Sequence, residues 1–167
     1  VAEALVWSTT DHEPPTQDEL TDAVVGASRA LLAVAVRSLG AGGQGLTLVQ
    51  YRALVVLSYH GAQRIADLAE SLAVNSSTVT RLVDRLVRKG LVCRVGDQQD
   101  RRTTRVSITA SGEDVVRAVI AHRRAEIAAI VAKMPGHDRG VMVAALEAFT
   151  VAAGEAPEQA WTQGWTS

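Results

Sequence analysis

Residues 74–112 constrain this chain more than any other stretch. Between Ser76 and Arg105 stand eight basic residues (Arg81, Arg85, Arg88, Lys89, Arg94, Arg101, Arg102 and Arg105) and three acidic ones (Asp84, Asp97 and Asp100). Eight minus three is a local charge of +5, in a chain whose formal net charge is −1. Positive charge gathered on one small unit is the electrostatic footprint of a polyanion partner. At about 100° per residue, Val79, Leu82, Val83 and Leu86 fall on one side of a helix, with Val87 at its edge. Ser77, Arg81, Asp84, Arg85 and Arg88 fall on the other. Asn75 or Ser76 is placed to cap the start by accepting an orphan backbone N–H. Gly90 ends the helix, because glycine enters the left-handed conformation at C′ without strain.

Small polar residues near the start of that helix let its end press into a groove. Arg81 offers a planar fork suited to a guanine edge. A solvated charged face is the alternative for the helix taken alone, and the segment that follows argues against it. Residues 91–95 and 105–109 read as strands around a polar loop at 96–104, since Val106 and Ile108 alternate with Arg105 and Ser107. The loop carries Asp100, Arg101 and Arg102 near its tip. An aspartate two residues before an arginine can aim the guanidinium, and a protruding arginine suits the negative potential of a narrow minor groove. Before the basic helix, residues 65–72 form a short helix with Ile65, Leu68, Ala69 and Leu72 inward, followed by an Ala-Val-Asn turn. Two short helices joined by so tight a turn are a helix-turn-helix, and the hairpin supplies a wing.

With these residues in view, 65–112 resembles the multiple-antibiotic-resistance-regulator (MarR) family of bacterial transcription factors. The resemblance rests on IADLAESLAVNSSTVTRLVDRLVRKGLV and on DQQDRRTTRVSITASG, where the D-x-R of Asp100 and Arg102 precedes V-x-I-T-x-x-G. These motifs cover about the middle third of the chain; the flanking helices match only in length and order. The resemblance implies a mainly α fold with a small β-hairpin wing, in which a winged helix-turn-helix domain joins a helical dimerisation domain. It also implies a homodimeric repressor or activator of double-stranded DNA, often released by a small aromatic or phenolic effector. By matched position Ser77, Thr78 and Arg81 face bases and Arg85 meets phosphates. Arg102 enters the minor groove with Asp100 orienting it, and Ser76 and Arg101 complete the candidate DNA-binding set.

Around this reader the chain divides into an arm at 1–16, the domain proper at 17–153 and a tail at 154–167. The reader occupies about 47–110, and the dimerisation helices are expected at 17–39 and within 111–153. Pro14 and Pro15 exclude helix from the end of the arm. Over 17–39, Leu20, Ala23, Val24, Ala27, Leu31 and Val34 make an apolar stripe that Leu32, Ala35, Val36 and Leu39 widen. A helix apolar over so much of its girth needs more than one neighbour, which suggests a subunit interface. Residues 40–45, GAGGQG, satisfy G-x-G-x-x-G, but a dinucleotide site needs that pattern between a strand and a helix. An inter-helix loop is expected instead. Thr47 can cap a helix at 48–59 with Leu48, Tyr51, Leu54, Val55 and Ser58 on one face. Thr109 or Ser111 can cap a long helix to about 134, with Val116, Val119, Ile120, Ile127, Ile130 and Val131 along it. Pro135-Gly136 breaks it, and a last helix at 137–153 carries Met142, Ala145, Leu146 and Phe149. Trp161 and Trp165 lie in a tail of little periodicity, either docked or without structure.

Other chemistry finds little support. No run of about 18 apolar residues escapes interruption by charge, so no membrane span is expected. The first residues lack a basic stretch leading an apolar one, so no secretory signal is expected. One cysteine excludes an internal disulfide and fits a reducing compartment, so the expected location is cytoplasmic. Cys93, on a strand beside Leu91 and Val95, is expected to pack as a small hydrophobe. His12, His60, His122 and His137 are scattered, and a zinc site needs three or four convergent ligands. Adjacent carboxylates such as Glu113 and Asp114 complement a helix dipole. No catalytic group, cofactor or metal is therefore expected. Three functions remain, in descending order: an effector-responsive DNA-binding dimer, a DNA binder without effector, and a winged helix for protein contacts or ligand sequestration. In the first, recognition helices about 34–36 Å apart would read a palindromic site.

Overall fold

The computed structural model describes residues 15–96, 104–134 and 139–154. In chain order the elements are α1 (Gln17–Gly42), α2 (Leu48–His60), β1 (Gln63–Arg64), α3 (Ile65–Leu72), α4 (Ser76–Arg88), β2 (Val92–Gly96), β3 (Thr104–Ile108), α5 (Ala110–Val131) and α6 (Arg139–Ala152). The fold is mainly helical with a small antiparallel sheet, as expected. The sheet has a third strand that periodicity did not reveal. Its order is β1-β3-β2, with Gln63 opposite Val106 and Val92 opposite Ile108. β1 is two residues long, too short to show alternation, and its identity comes from pairing with β3.

The chain divides into two compact units between Ala33 and Val34. In the first, α1 begins with a reciprocal cap. Glu19 Oε2 accepts from the Thr16 backbone N–H at 2.9 Å, and Thr16 Oγ1 accepts from the Glu19 N–H at 3.3 Å. Leu20, Val25, Leu31 and Leu32 of this unit are all about half exposed or more. α1 as a whole is long and apolar enough to cross a membrane by length and composition alone, a test that the core helix of a soluble protein also passes. The expectation of no span counted uninterrupted apolar runs, whereas α1 intersperses Arg29 and Arg37 among many valines, leucines and alanines.

The second unit holds the core. Leu54 and Leu57 of α2, Leu68 of α3, Val79, Val83 and Leu86 of α4, Val106 of β3, and Val115, Val116 and Val119 of α5 are all but inaccessible. α2 sits at its centre and buries Gln50, Tyr51, Ala53, Leu54, Val56 and Leu57, so the face expected to include Leu48 is rotated and Leu48 is exposed. The rotation follows from the capping box. Thr47 Oγ1 accepts from the Gln50 N–H, and Gln50 Oε1 turns back to accept from the Thr47 N–H at 2.9 Å. α5 is buried only over its first turns, at Gly112, Val115, Val116 and Val119, while Ile130 is exposed and α6 has no buried residue. α5 ends at Val131 and α6 begins at Arg139, slightly inside the expected limits; Pro135, Gly136 and His137 lie outside the described residues.

The glycine run differs from the expected loop. α1 continues through Gly40, Ala41 and Gly42, and the turn comes at Gln44 and Gly45, both at positive φ. A Cβ on Gly42 would lie 3.0 Å from the Val119 backbone nitrogen, so this glycine serves the close crossing of α1 over α5. Cys93 also departs from expectation: it is exposed. Val92 takes the core side of edge strand β2, and the two-residue period turns Cys93 to the other face.

Gly112 marks where α5 is pressed against the end of the reader. A Cβ there would fall inside contact range of the Leu91 carbonyl oxygen and 2.7 Å from Ile108 Cγ1. That same carbonyl accepts from the Thr109 N–H at 3.1 Å. Gly112→Ala is therefore expected to destabilise by about 1–3 kcal/mol through overpacking, read as a Tm lowered by several degrees. An unchanged Tm would show that the α5 start has slack.

Candidate nucleic-acid interface

α4 is built so that its charged side has no choice of direction. Val79, Leu82, Val83 and Leu86 are buried, while Ser76, Ser77, Thr78, Arg81, Asp84, Arg85 and Arg88 are exposed. Both ends are held. At the start the cap is Asn75, not Ser76: its Oδ1 accepts from the Thr78 N–H at 2.9 Å and from Ser77 Oγ at 2.8 Å. Asn75 wins because its backbone is extended, at φ −76° and ψ 153°, while Ser76 is already helical. At the end, Gly90 takes φ +71°, its N–H donates to Val87 O at 2.9 Å, and the Leu91 N–H donates to Leu86 O at 3.0 Å. This is the paired reverse bonding of a Schellman stop.

The turn into α4 is tight. Ala73 adopts the left-handed conformation at φ 53°, with its N–H on Glu70 O and the Val74 N–H on Ala69 O, both at 3.0 Å. A residue with a Cβ costs roughly 1–2 kcal/mol there relative to right-handed backbone, so the surrounding packing of α3 and α4 holds the angle. Lys89 adds a strap at the far end, donating from Nζ to the Gln44 carbonyl at 3.0 Å. The helix is thus fixed in register and pitch before any partner arrives.

Five candidate residues, Ser76, Ser77, Thr78, Arg81 and Arg85, lie together on this exposed surface. Thr78, Arg81 and Arg85 also line an open cleft of about 280 Å³, closed on the other side by Thr47, Val49 and Gln50 at the start of α2 and floored by Val74 and Leu82. Among the described residues the lining carries two guanidinium groups and no carboxylate. Neither Arg81 nor Arg85 has an ion-pair partner among the described residues. Ser77 differs from a free reader, because its hydroxyl proton is committed to Asn75 and leaves it to act as an acceptor. Asp100, Arg101 and Arg102 lie outside the described residues; the strands leading to them, β2 and β3, pair in register from Val92–Ile108 to Gly96–Thr104.

Two features escaped the sequence reading. Thr47 was legible as a cap, but neither it nor Gln50 was legible as the wall of a cleft beside α4, since that depends on tertiary packing. Asp84 was counted only as a charge on the basic face. It accepts from Arg94 Nη2 of β2 at 2.7 Å and joins the helix to the root of the wing. Among the described residues no group of three or more histidine, cysteine or acidic side chains is placed to hold a metal ion.

Comparison with known proteins bears on this geometry. The model of the MarR family matches residues 46–104, from the turn before α2 to the start of β3. The transcriptional repressor MdtR of Bacillus subtilis is 36% identical over 85 residues, covering 51% of this chain and 55% of its own length. The chain spans about half the length of the curated relatives it matches. Among solved structures, RV1404 from Mycobacterium tuberculosis is 42% identical with a TM-score of 0.78, over 87% of this chain and 99% of that one. A MarR family protein from Bacillus stearothermophilus is 25% identical with a TM-score of 0.72, over 83% of this chain and 95% of that one.

The cap is the part of this surface whose contribution can be isolated. Asn75→Ala removes an acceptor used twice and is expected to destabilise by about 0.5–2 kcal/mol. Asn75→Asp, which keeps the acceptor, should hold Tm near the parent value. Equal losses in both variants would show that the cap is not what holds the start of α4.

Proposed function

This chain belongs to the MarR family of transcriptional regulators, and from that premise we propose that it binds duplex DNA as a homodimer on a two-fold-related operator, as a repressor released by a small-molecule effector. The observation that carries the reading is the outer surface of α4, on which Arg81 and Arg85 stand exposed among small polar residues, with no ion-pair partner among the described residues. Arg81 sits far enough into the helix to reach a base edge and can satisfy the two acceptors of guanine. Thr78 and Ser77 lie one turn nearer the helix start, where close approach to the groove floor needs short side chains. Arg85 lies one turn further out and meets phosphate, with Arg102 in the neighbouring minor groove and Asp100 aiming it. The family is one of regulators, not enzymes.

The homodimer is supported by apolar surface that the single chain leaves open. Val141, Val143, Phe149 and Val151 of α6 are more than half exposed, and so are Leu20, Leu31, Leu32 and Val36 of α1. Burying such side chains contributes about 1.5–3 kcal/mol each. A bilayer is the less fitting cover for α1. A guanidinium near the centre of a spanning helix costs about 2.5–3.5 kcal/mol, and Arg37 is engaged with Glu126 of α5 at 2.7 Å. A cytoplasmic protein follows from the same reading. The repressor sense takes its support from MdtR, which bears that description.

An effector is supported by one group where α5 meets α2. Arg123 Nε is buried without a hydrogen-bond partner among the described residues, and its guanidinium lies 5.9 Å from the centre of the Tyr51 ring. Burial raises the Tyr51 phenol above its ordinary pKa, and the positive charge of Arg123 opposes that rise. An anionic aromatic effector would complement this cationic, ring-lined position. It would act by favouring one spacing of the two readers over the other, since equal affinity for both shifts nothing.

Binding to the operator measured across salt concentrations tests the reading. Arg81→Ala is expected to cost about 1–3 kcal/mol in specific binding and to relax preference at one base pair. Arg85→Ala should weaken all duplexes alike and lower the salt slope by about one. Unchanged affinity and sequence preference in Arg81→Ala would remove its base contact. Sedimentation velocity should give twice the chain mass at micromolar concentration, and a monomer there would overturn the dimer.

A further inference from the structure

The ion pair between α4 and the wing has no obvious purpose in stability. Asp84 and Arg94 side chains are 49% and 44% exposed, and pairs so solvated contribute about 0–1 kcal/mol. Its cost to a DNA reader is plain, because Asp84 puts a negative charge on the surface that must approach phosphates. Arg94 lies opposite Val106 in the β2–β3 ladder, and so on the face of β2 that carries buried Val92 and looks toward the core. At the fringe of that core its side chain crosses to α4 and donates through Nη2 to Asp84 Oδ1. Only that one bond to the carboxylate is made, while a guanidinium has five N–H donors in a rigid fork. Asp84 itself stands three residues after Arg81 and one before Arg85, and Arg88 Nε donates to its main-chain carbonyl at 3.3 Å. The pair is therefore set within a row of arginines, at the junction of helix and wing.

A helix in the major groove and a wing in the adjacent minor groove must straddle one sugar-phosphate strand, the one that separates the grooves. The Asp84–Arg94 pair bridges α4 and β2, the two elements that would flank that strand. We infer that Arg94 is a phosphate-contacting residue held in position by the carboxylate of Asp84. The inference rests on the DNA-binding reading above and adds to it a contact and a positioning residue. Asp84 cancels one charge of the face but converts a long, mobile side chain into a fixed donor, which lowers the ordering cost when phosphate is met. The competing account makes Asp84 a mask that withholds Arg94 from DNA, and the two accounts differ in sign.

Duplex binding by the full chain, followed by fluorescence anisotropy across a salt series, separates them. Arg94→Gln should weaken operator and random duplexes by the same factor, about tenfold at moderate salt, and reduce the slope of log K against log salt by about 0.9. Asp84→Asn should also weaken binding despite the gain in net positive charge, and Asp84→Glu should restore most of it. In the Arg94→Gln background, Asp84→Asn should do nothing further, the mark of a residue that acts through its neighbour. Arg94→Lys keeps the charge without the fork, so it should keep the slope and lose part of the affinity, which serves if Arg94→Gln folds poorly by circular dichroism. An unchanged slope in Arg94→Gln, equal or tighter binding by Asp84→Asn, or an Asp84→Asn effect that persists without Arg94 would each overturn the inference. A parent chain without salt-dependent binding would instead sink the DNA-binding reading itself.

Discussion

Burial of Val79, Leu82, Val83 and Leu86 along one side of α4 is the constraint on which the rest of this structure depends. Each fills the space between α4 and the elements around it, and each largely leaves water in doing so, a gain of about 1.5–3 kcal/mol per side chain. With that side fixed, the opposite side must face outward, and there the chain carries Arg81, Arg85 and Arg88. The charged surface is thus a consequence of the apolar one. Asn75 and Gly90 close the two ends, Ala73 sets the entry angle, and Lys89 ties the exit to the carbonyl of Gln44. A surface pre-set in this way loses little further freedom when a rigid polyanion docks on it.

The same logic distinguishes the two kinds of exposed surface on the molecule. On α4 the exposed groups are charged and hydrogen-bonding, suited to a hydrated partner rich in phosphate. On α6 they are Val141, Val143, Leu146, Phe149 and Val151, suited to a dry one. In the homodimer proposed above, the apolar surface would be permanently covered and the charged one used intermittently. The cleft lined by Thr47, Gln50, Thr78, Arg81 and Arg85 belongs to the charged kind: open, cationic and part of the surface of α4.

Much of this was legible in the sequence, for reasons that can be named. The inward face of α4 followed from a 3.6-residue period with no ambiguity, and its stop followed from a single glycine. The winged helix-turn-helix arrangement followed from α3, the short turn and the alternation at Val106 and Ile108. What escaped notice depends on neighbours distant in the chain. β1 is too short for any period and exists because β3 offers it partners. The orientation of α2 was misjudged at Leu48 because Gln50 is drawn inward by the cap at Thr47, a local bond outweighing the apolar stripe. Half of the GAGGQG run is helix, since Gly42 is needed where α1 passes within contact of the α5 backbone. Cys93 was assigned to the packed interior from its apolar neighbours, but strand parity turns it outward. In the candidate interface, Arg81 and Arg85 were readable from charge and spacing, whereas the Asp84–Arg94 pair joins residues ten apart across a turn and could not be inferred from periodicity.

On the proposed function, the outward side of α4 is the surface that meets a duplex. Amide chemical shifts of the isotope-labelled chain, followed as operator DNA is added, test it most directly. The account requires the largest changes at residues 76–88 and along β2 and β3, with the buried segment of α5 at residues 112–119 little affected. Changes concentrated on α5 and α6 with α4 unmoved would contradict it.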